Sequence, residues 1–472
     1  MPKDKSKSIN QILDFDKVKS KPLSYKNKRV AVVGLGRTGI ALYRFLKSRG
    51  AKVYGLDRDS KLQCGIQNLI LGEDYLKNLE QFDIIFVSPG VPLNLPELEN
   101  AKKRGQIISS EIQLFFDLCP AKIIGITGTN GKTTTVTLLG KLLKARKKEK
   151  IWIGGNIGKP LIDKLDKIKK KDLVVLELSS FQLENLTKSP FIACILNITP
   201  DHLDRHPDFT SYLEAKANIF KYQNPEEFSV FNFDDPACVN LAKIASSKVI
   251  FTSLYSDLDK GVFKKDKEII STIFKRKKLA EVSDLKLPGD HNLSNTLSAL
   301  AILELIDPKV SPELIRRVLK NFKGLEHRIE FVKEIKGVRY FNDSKATTPA
   351  STIAALKAFD EPVILIAGGL DKNLDFSELA QVIIEKVKHL ILIGKAAKKI
   401  KRALKFALEK IGLDLKGFPH HFASDLKEAV KLAKTYSKKG DIVLFSPGCA
   451  SFDMFLNYEE RGRKFKELVS KK

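Results

Sequence analysis

The stretch from Lys122 to Thr135, KIIGITGTNGKTTT, constrains this chain more than any other. An apolar run, Ile123-Ile124-Gly125-Ile126, reads as a buried strand. It turns through Gly128-Thr129-Asn130-Gly131 and enters a helix at Lys132-Thr133-Thr134-Thr135. Glycines let backbone N–H groups curl around a phosphate, and a helix start adds further donors and its dipole. Lys132 supplies a cation for terminal phosphates, and the Thr133 hydroxyl suits Mg²⁺. The fit to G-x-x-x-x-G-K-[ST] is incomplete, because position 126 is Ile and the earlier glycine is Gly128. Gly128 to Thr134 reads as an ATP site; the competing reading is a bare strand–turn–helix corner.

Similar apolar runs recur along the chain, at Arg29–Val33, Lys52–Leu56, Asp83–Val87, Leu173–Leu178 and Ala193–Asn197. They continue at Val338–Asn342, Val363–Ala367, Leu390–Ile393 and Ile442–Ser446, with helical patterns between most of them. This alternation predicts α/β domains with largely parallel sheets, whose ligands gather beyond the carboxyl ends of the strands. A chain of 472 residues exceeds one ordinary core, and three domains are expected. Motif grouping sets them at 29–112, 113–324 and 325–472, after a charged leader over residues 1–28. The segment from Phe251 to Leu287 reads as irregular, lysine-rich surface elaboration.

The residues just beyond each strand carry the chemistry. After the first comes Gly34-Leu35-Gly36-Arg37-Thr38-Gly39, and Asp57 closes the next strand 21 positions after Gly36. That is a dinucleotide fingerprint with its ribose-binding acid, and a nicotinamide enzyme is its first implication; tight turns alone are the alternative. Ser88-Pro89-Gly90 ends a third strand and can face the same ligand. Glu177 ends LVVLE, where a triphosphate site wants an acid to orient Mg²⁺. Asp201, His202, Asp204 and His206 lie past another strand; His202 suits a second divalent ion, or else a loop hydrogen bond. On chemistry alone Lys216 reads as a surface lysine. Asn292 and Asn295 at a helix start read as caps by default, or as purine contacts.

Composition narrows the classes. No run of roughly 18 apolar residues occurs, so no membrane insertion is expected. Five scattered cysteines without a C-x-x-C pair point to a reducing cytoplasm and away from a thiolate-bound metal. Lysine and arginine number 82 against 56 acidic residues, a formal net charge of +26. The cations are dispersed and lack an aromatic-interleaved nucleic-acid motif, so no nucleic-acid partner is expected. Polyanionic small substrates would equally welcome the field.

TGTNGKTT, GGNIG, ELSSFQLE, NITPDHLDRH, LPGDHNLSN, LEHRIE, NDSKATTP, GGLDKN and SPGCASFDMF occur in the order found in Mur ligases. With GLGRTG ahead of them, the chain resembles that family over residues 29 to 465. The resemblance implies an ATP-dependent amide-forming enzyme of peptidoglycan precursor synthesis, acting as a monomer in the cytoplasm. Its three domains would be a Rossmann-like N-terminal one, a central P-loop one and a Rossmann-like C-terminal one. The implied substrates are ATP, UDP-N-acetylmuramoyl-L-alanine and D-glutamate, with two Mg²⁺ ions. The glycine fingerprint is thereby reassigned to a uridine diphosphate, lined by Gly34, Gly36, Arg37, Thr38, Asp57, Arg58, Ser88 and Gly90, with Asn156 on the UDP-sugar. Thr133, Glu177, His202 and Lys216 match metal positions, Lys216 as a carbamate, and Lys132, His202 and Lys216 are the implied catalytic set. Asn292, Asn295, Arg328 and Asp343 match nucleotide contacts. Lys345, Thr347, Lys372 and Ser451 match the incoming amino acid. Three rival readings stand beside it: a Mur-type ligase for another amino acid, a nicotinamide-dependent oxidoreductase, and a basic ATPase stimulated by nucleic acid.

Overall fold

Short apolar runs, each ended by a glycine or acidic turn, become parallel strands in the computed structural model, which describes residues 25–201, 205–287, 289–371 and 374–471. His202, Asp204, Lys372 and the leader through residue 24 lie outside the described residues. The chain divides into two units, residues 1–286 with 290–321 and residues 287–289 with 322–472. The first unit holds two sheets and the second holds one, giving the α/β class that the alternation predicts and the three domains expected from the chain's length.

The N-terminal sheet runs Leu69–Leu71, Lys52–Asp57, Arg29–Val33, Ile84–Val87, Ile107–Ser109, all parallel. The chain winds outward both ways from Arg29–Val33, so a crevice opens beyond Arg29–Val33 and Ile84–Val87 where the order reverses. The helix Arg37–Ser48 buries Ala41, Leu42, Phe45 and Leu46, a helical-period stripe against the sheet. A second helix, Glu111–Leu118, leads to the central sheet. Ser110 caps it by accepting the Gln113 N–H at 3.2 Å. Ile112, Leu114, Phe115 and Phe116 join a core shared by residues of both sheets.

The central sheet places Lys122–Thr127 between Ile192–Ile195 and Leu173–Glu177, with Ile151–Gly155 beyond the latter. Because these strands are parallel, the turns after 127, 155, 177 and 195 emerge along one edge, and the site is built there. The other side continues through Phe228–Asn232, Lys248–Ser253, Gly261–Lys265, Glu268–Ser271 and Lys277–Glu281. The expectation of irregular structure from Phe251 to Leu287 is therefore corrected: this segment extends the sheet and ends in an antiparallel meander. Lys260, Lys265, Lys267 and Lys278 face solvent while Val262, Phe263, Ile269 and Leu279 are wholly buried. These short buried apolar runs are a strand signal masked by the charge around them. The helix Lys132–Ala145 packs against Asp290–Ile306. The latter is buried on nearly every face from Leu293 to Leu305, as an apolar helix must be.

In the second unit the order is Glu330–Ile335, Val338–Asn342, Ile442–Phe445, Val363–Gly368, Val387–Ile393, His420–Phe422. Only the Glu330–Ile335 hairpin partner is antiparallel. The turns after Asn342, Gly368 and Phe445 share the carboxyl edge.

Candidate functional site

The loop Gly128–Gly131 is held by hydrogen bonds from the strand end beside it. Asn197 clamps it: its Oδ1 accepts the Asn130 N–H at 2.8 Å, and its Nδ2 donates to the Asn130 carbonyl at 3.1 Å. The Thr129 hydroxyl donates to the Thr199 carbonyl and lies 3.0 Å from the Tyr212 hydroxyl. Gly131, at φ +85°, opens the helix Lys132–Ala145. A Cβ there would meet Asn295 Oδ1 at 2.1 Å, so this position needs both the left-handed backbone and the missing side chain. Asn292 and Asn295 both lie within Asp290–Ile306, and Asn295 is buried against the Gly128–Gly131 loop. Thr133 is half-buried and Thr134 buried in the first turn beyond the loop.

Two lysines converge on this loop. Lys132 Nζ donates to the carbonyls of Gly128 at 2.6 Å and Thr129 at 2.8 Å. Lys216 Nζ donates to the same Gly128 carbonyl at 3.0 Å and sits 4.7 Å from the Tyr212 ring centre. Lys216 is 1% exposed, so the surface reading from its chemistry alone is wrong. It lies on the inner face of Phe209–Lys221 with Tyr212, Ala215 and Ile219. Burial, and then the neighbouring Lys132 charge, bring its ammonium down to about 7 from an ordinary value near 10.5.

Glu177 pairs in register with Ile126 on one side and Gly155 on the other, and is buried. Its Oε1 accepts from Asn156 Nδ2 at 3.1 Å, whereas Oε2 is buried with no hydrogen-bond partner among the described residues. A buried carboxylate oxygen without a donor is costly, and a cation is the simplest group to satisfy it. As a hard oxygen donor, Glu177 Oε2 fits a divalent cation such as magnesium, although no group of three or more His, Cys, Asp or Glu gathers around it among the described residues. His206, singled out beside His202, is instead packed, with Nε2 3.0 Å from Ser180 Oγ and its ring stacked on Phe181.

In the N-terminal crevice, Ser88 donates to the Gly34 carbonyl at 2.6 Å. Asp57 accepts the Leu35 and Asp59 N–H groups at 2.6 and 3.0 Å. The acid thereby holds the glycine turn in place. A Cβ on Gly39 would meet the Gly34 carbonyl oxygen at 2.0 Å, which lets the helix press onto the turn. Around Gly36 and Gly90 nothing lies within 4 Å of a would-be Cβ, so these two face open space. Arg37 and Arg58 are exposed, and Thr38 is half-buried. Arg205, which sequence reasoning missed, donates to the Gly90 carbonyl at 3.2 Å and stands over the Phe181 ring, joining this crevice to the central domain.

The remaining expected residues belong to the second unit. Asp343 is buried, accepting from Ser446 Oγ at 2.7 Å and from the Ile329 N–H at 3.2 Å. Burial pushes its carboxyl up to about 7. Arg328 is exposed, Lys345 and Thr347 are half-buried, and Ser451 is buried. Arg461, also missed, is wholly buried: it donates to Ser344 Oγ at 3.0 Å, the Ser344 carbonyl at 2.8 Å and the Cys449 carbonyl at 3.1 Å. It therefore ties the loop after Asn342 to the loop after Phe445. A signal did exist, since Arg461, Phe465 and Val469 recur at i, i+4, i+8 on the inner face of Tyr458–Ser470.

Family models match three consecutive segments: the Mur ligase MurD-like N-terminal domain over residues 28–110, the Mur ligase middle domain over 126–303, and the Mur ligase glutamate ligase domain over 327–449. A UDP-N-acetylmuramoylalanine–D-glutamate ligase of Acetivibrio thermocellus is 44% identical, covering 94% of this chain and 97% of its own. One of the same name from Clostridium tetani is 43% identical, over 94% and 96%. The structure of a MurF ligase from Thermotoga maritima in complex with ADP shares the fold, with a TM-score of 0.53 at 18% identity over 94% of this chain and 96% of that one. The chain belongs to the Mur ligase family, in the group with a MurD-like N-terminal domain.

Proposed function

We propose that this protein is an ATP-dependent ligase that joins the amine of D-glutamate to the alanyl carboxylate of UDP-N-acetylmuramoyl-L-alanine, a cytoplasmic step of peptidoglycan precursor synthesis. The observation that carries the reading is the central loop, where two lysines share the Gly128 carbonyl and the adjacent strand ends in Glu177, one of whose buried oxygens has no hydrogen-bond partner among the described residues. Such a place suits a polyphosphate and a cation. The near-full-length relatives named for this reaction support the choice of substrates.

In this reading Gly128 to Thr134 and Lys132 cradle the triphosphate, with Asn292, Asn295, Arg328 and Asp343 on the rest of the nucleotide. The alanyl carboxylate oxygen attacks the γ-phosphorus, the bond to the β-phosphate oxygen breaks, and ADP leaves. The neutral amine of D-glutamate then adds to the resulting acyl carbon, phosphate departs, and the amine loses its proton. Lys132 answers the negative charge that moves onto the departing ADP oxygens. Gly34, Gly36, Arg37, Thr38, Asp57, Arg58, Ser88, Gly90 and Asn156 hold the uridylylated substrate. Lys345, Thr347, Lys372 and Ser451 receive the amino acid, the two lysines opposing its carboxylates. Thr133, Glu177, His202 and Lys216 would hold magnesium, two ions in all, which supplies positive charge beside the triphosphate. Lys216 serves as a carbamate there: a neutral amine must attack CO₂ and shed a proton, and a pKa near 7 makes that amine available at neutral pH.

The test is an omission assay. ADP and phosphate should appear only when both UDP-N-acetylmuramoyl-L-alanine and an amino acid are present, with D-glutamate preferred in a panel of D- and L-amino acids. Preference for another amino acid would move the protein to a different Mur-type ligase. ATP hydrolysis driven by polynucleotide, or NADH binding without uridine nucleotide binding, would overturn the reading.

A further inference from the structure

Among the described residues, eleven large apolar side chains are well exposed, and four of them, Phe406, Ile411, Leu413 and Phe422, fall within one stretch of 17 residues. Single exposed apolar residues are ordinary on a protein surface, but a concentration of them is not. The stretch is the helix Ala397–Glu409, the turn after it and the edge strand His420–Phe422.

The helix shows why these side chains cannot reach the core. Ile400, Leu404 and Leu408 are buried and mark its inner face. At 100° per residue, Phe406 stands opposite them, and it is 58% exposed. Around it the outer face carries Lys398, Arg402, Lys405 and Lys410, and Lys410 lies 4.7 Å from the Phe406 ring centre. Lys401, half-buried on the flank of the helix, lies 5.2 Å from the Phe422 ring centre, which brings the strand's exposed ring to the border of that basic face. Ile411 and Leu413 continue the apolar surface beyond the helix end, at 58% and 53% exposure. Residues 395–422 hold eight lysines and arginines against two acidic residues. Lys398, Lys401, Arg402 and Lys410 make no ion pair among the described residues.

From this arrangement we propose that the outer face of Ala397–Glu409, with Ile411, Leu413 and Phe422, is a peripheral docking surface for an anionic lipid bilayer. Charge complementarity selects the occupant. The cations meet lipid phosphates while the phenyl rings and aliphatic side chains enter the boundary between headgroups and acyl chains. A nucleic acid would use the cations but leave Ile411 and Leu413 without a partner, since aliphatic side chains do not stack on bases as rings do. A neutral protein groove would use the apolar groups and leave the cations idle. The inference does not depend on the substrates proposed above, and none of these residues belongs to the proposed site.

The experiment is co-sedimentation of the full chain with vesicles of phosphatidylglycerol and phosphatidylcholine, against pure phosphatidylcholine, at low and high salt. Binding is expected to the anionic vesicles and to weaken as salt rises. Each cation near such a surface strengthens binding about fivefold, so Lys401→Glu with Arg402→Glu should weaken it by more than about tenfold. Phe406→Ser with Ile411→Ser should weaken it at unchanged net charge, and both variants should keep the wild-type rate of peptide-bond formation. Equal binding to neutral vesicles, no binding to either, or binding that neither variant changes would overturn the proposal. So would vesicle failure combined with uridine-oligonucleotide binding that the charge variant abolishes.

Discussion

Replacing Asp343 by Asn should make the second unit more stable while abolishing nucleotide-dependent turnover. Asp343 is 4% exposed, and burial raises its carboxyl from 3.8 to about 7, with Ser446 and the Ile329 N–H opposing the shift. A raised carboxylate pKa means that the charged form is penalised by folding. Below about pH 4 the group is protonated in both states and the penalty vanishes; it grows through the window from 3.8 to 7 and is complete above it. Three pH units correspond to about 4 kcal/mol at pH 8 and to about 2 kcal/mol at pH 5. Asn fits the same space. Its oxygen can accept the Ile329 N–H and its amide can donate to Ser446 Oγ, whose own proton can turn to Thr352 Oγ1, 3.1 Å away. The assay is hydrogen exchange of the strands Val338–Asn342 and Ile442–Phe445, variant against wild type at each pH, so that intrinsic exchange rates cancel. Protection should rise by about three orders of magnitude at pH 8, on the order of 4 kcal/mol, and by only about twentyfold at pH 5. A gain independent of pH, or a loss at pH 8, would refute the claim that an ionised Asp343 is held at a cost to stability.

Other outcomes rest on the same geometry. Gly131→Ala must abandon φ +85° and displace Asn295, so nucleotide affinity should fall by more than about tenfold in a titration with a fluorescent ATP analogue, with a loss of about 1–3 kcal/mol of stability. Arg461→Met removes a buried cation with three hydrogen bonds to Ser344 and Cys449, leaving their carbonyls without it. About 3 kcal/mol should be lost, in the second unit alone, with the fluorescence of Trp152 in the first unit unmoved at mild denaturant. Lys216→Met should abolish peptide-bond formation, and a carbamate carbon signal from ¹³C-bicarbonate should be present in the wild type and missing from the variant. Chelation by EDTA should stop turnover reversibly while leaving uridine-substrate binding intact in calorimetry.

The strands that order the site were legible because each is an apolar run closed by a turn residue. Arg29–Val33 and Val338–Asn342 have the bounds expected of them, and Lys122–Thr127 differs by one residue at each end. Elsewhere the signal failed for a physical reason. In Gly261–Glu281 lysines end Gly261–Lys265 and begin Lys277–Glu281, so composition spoke of surface while the short buried runs Val262-Phe263, Ile269-Ile270 and Leu279-Ala280 spoke of sheet. Within the site, the Gly128–Thr134 loop could be read from local spacing alone. Lys216 could not, since what buries it is the fold around it, and a lysine in a chain this basic carries no mark of its own; Arg461 could be placed on an inner helix face by its spacing from Phe465 and Val469, but not assigned its carbonyl partners. Asn295 was seen as a helix-start residue, but its contact with Gly131 spans some 160 positions of sequence. No local rule reaches across that distance. Arg205 and Asn197 act by holding backbone carbonyls and N–H groups, a role that residue type does not announce.

The proposal that phosphoryl transfer precedes acyl transfer at one carbon can be tested with ¹⁸O. UDP-N-acetylmuramoyl-L-alanine labelled in both alanyl carboxylate oxygens is incubated with the protein, ATP, magnesium and D-glutamate, and the released phosphate and peptide are weighed by mass spectrometry. One ¹⁸O should appear in phosphate for each peptide bond formed, and one should remain in the new amide carbonyl. Unlabelled phosphate, or phosphate released without any peptide, would contradict it.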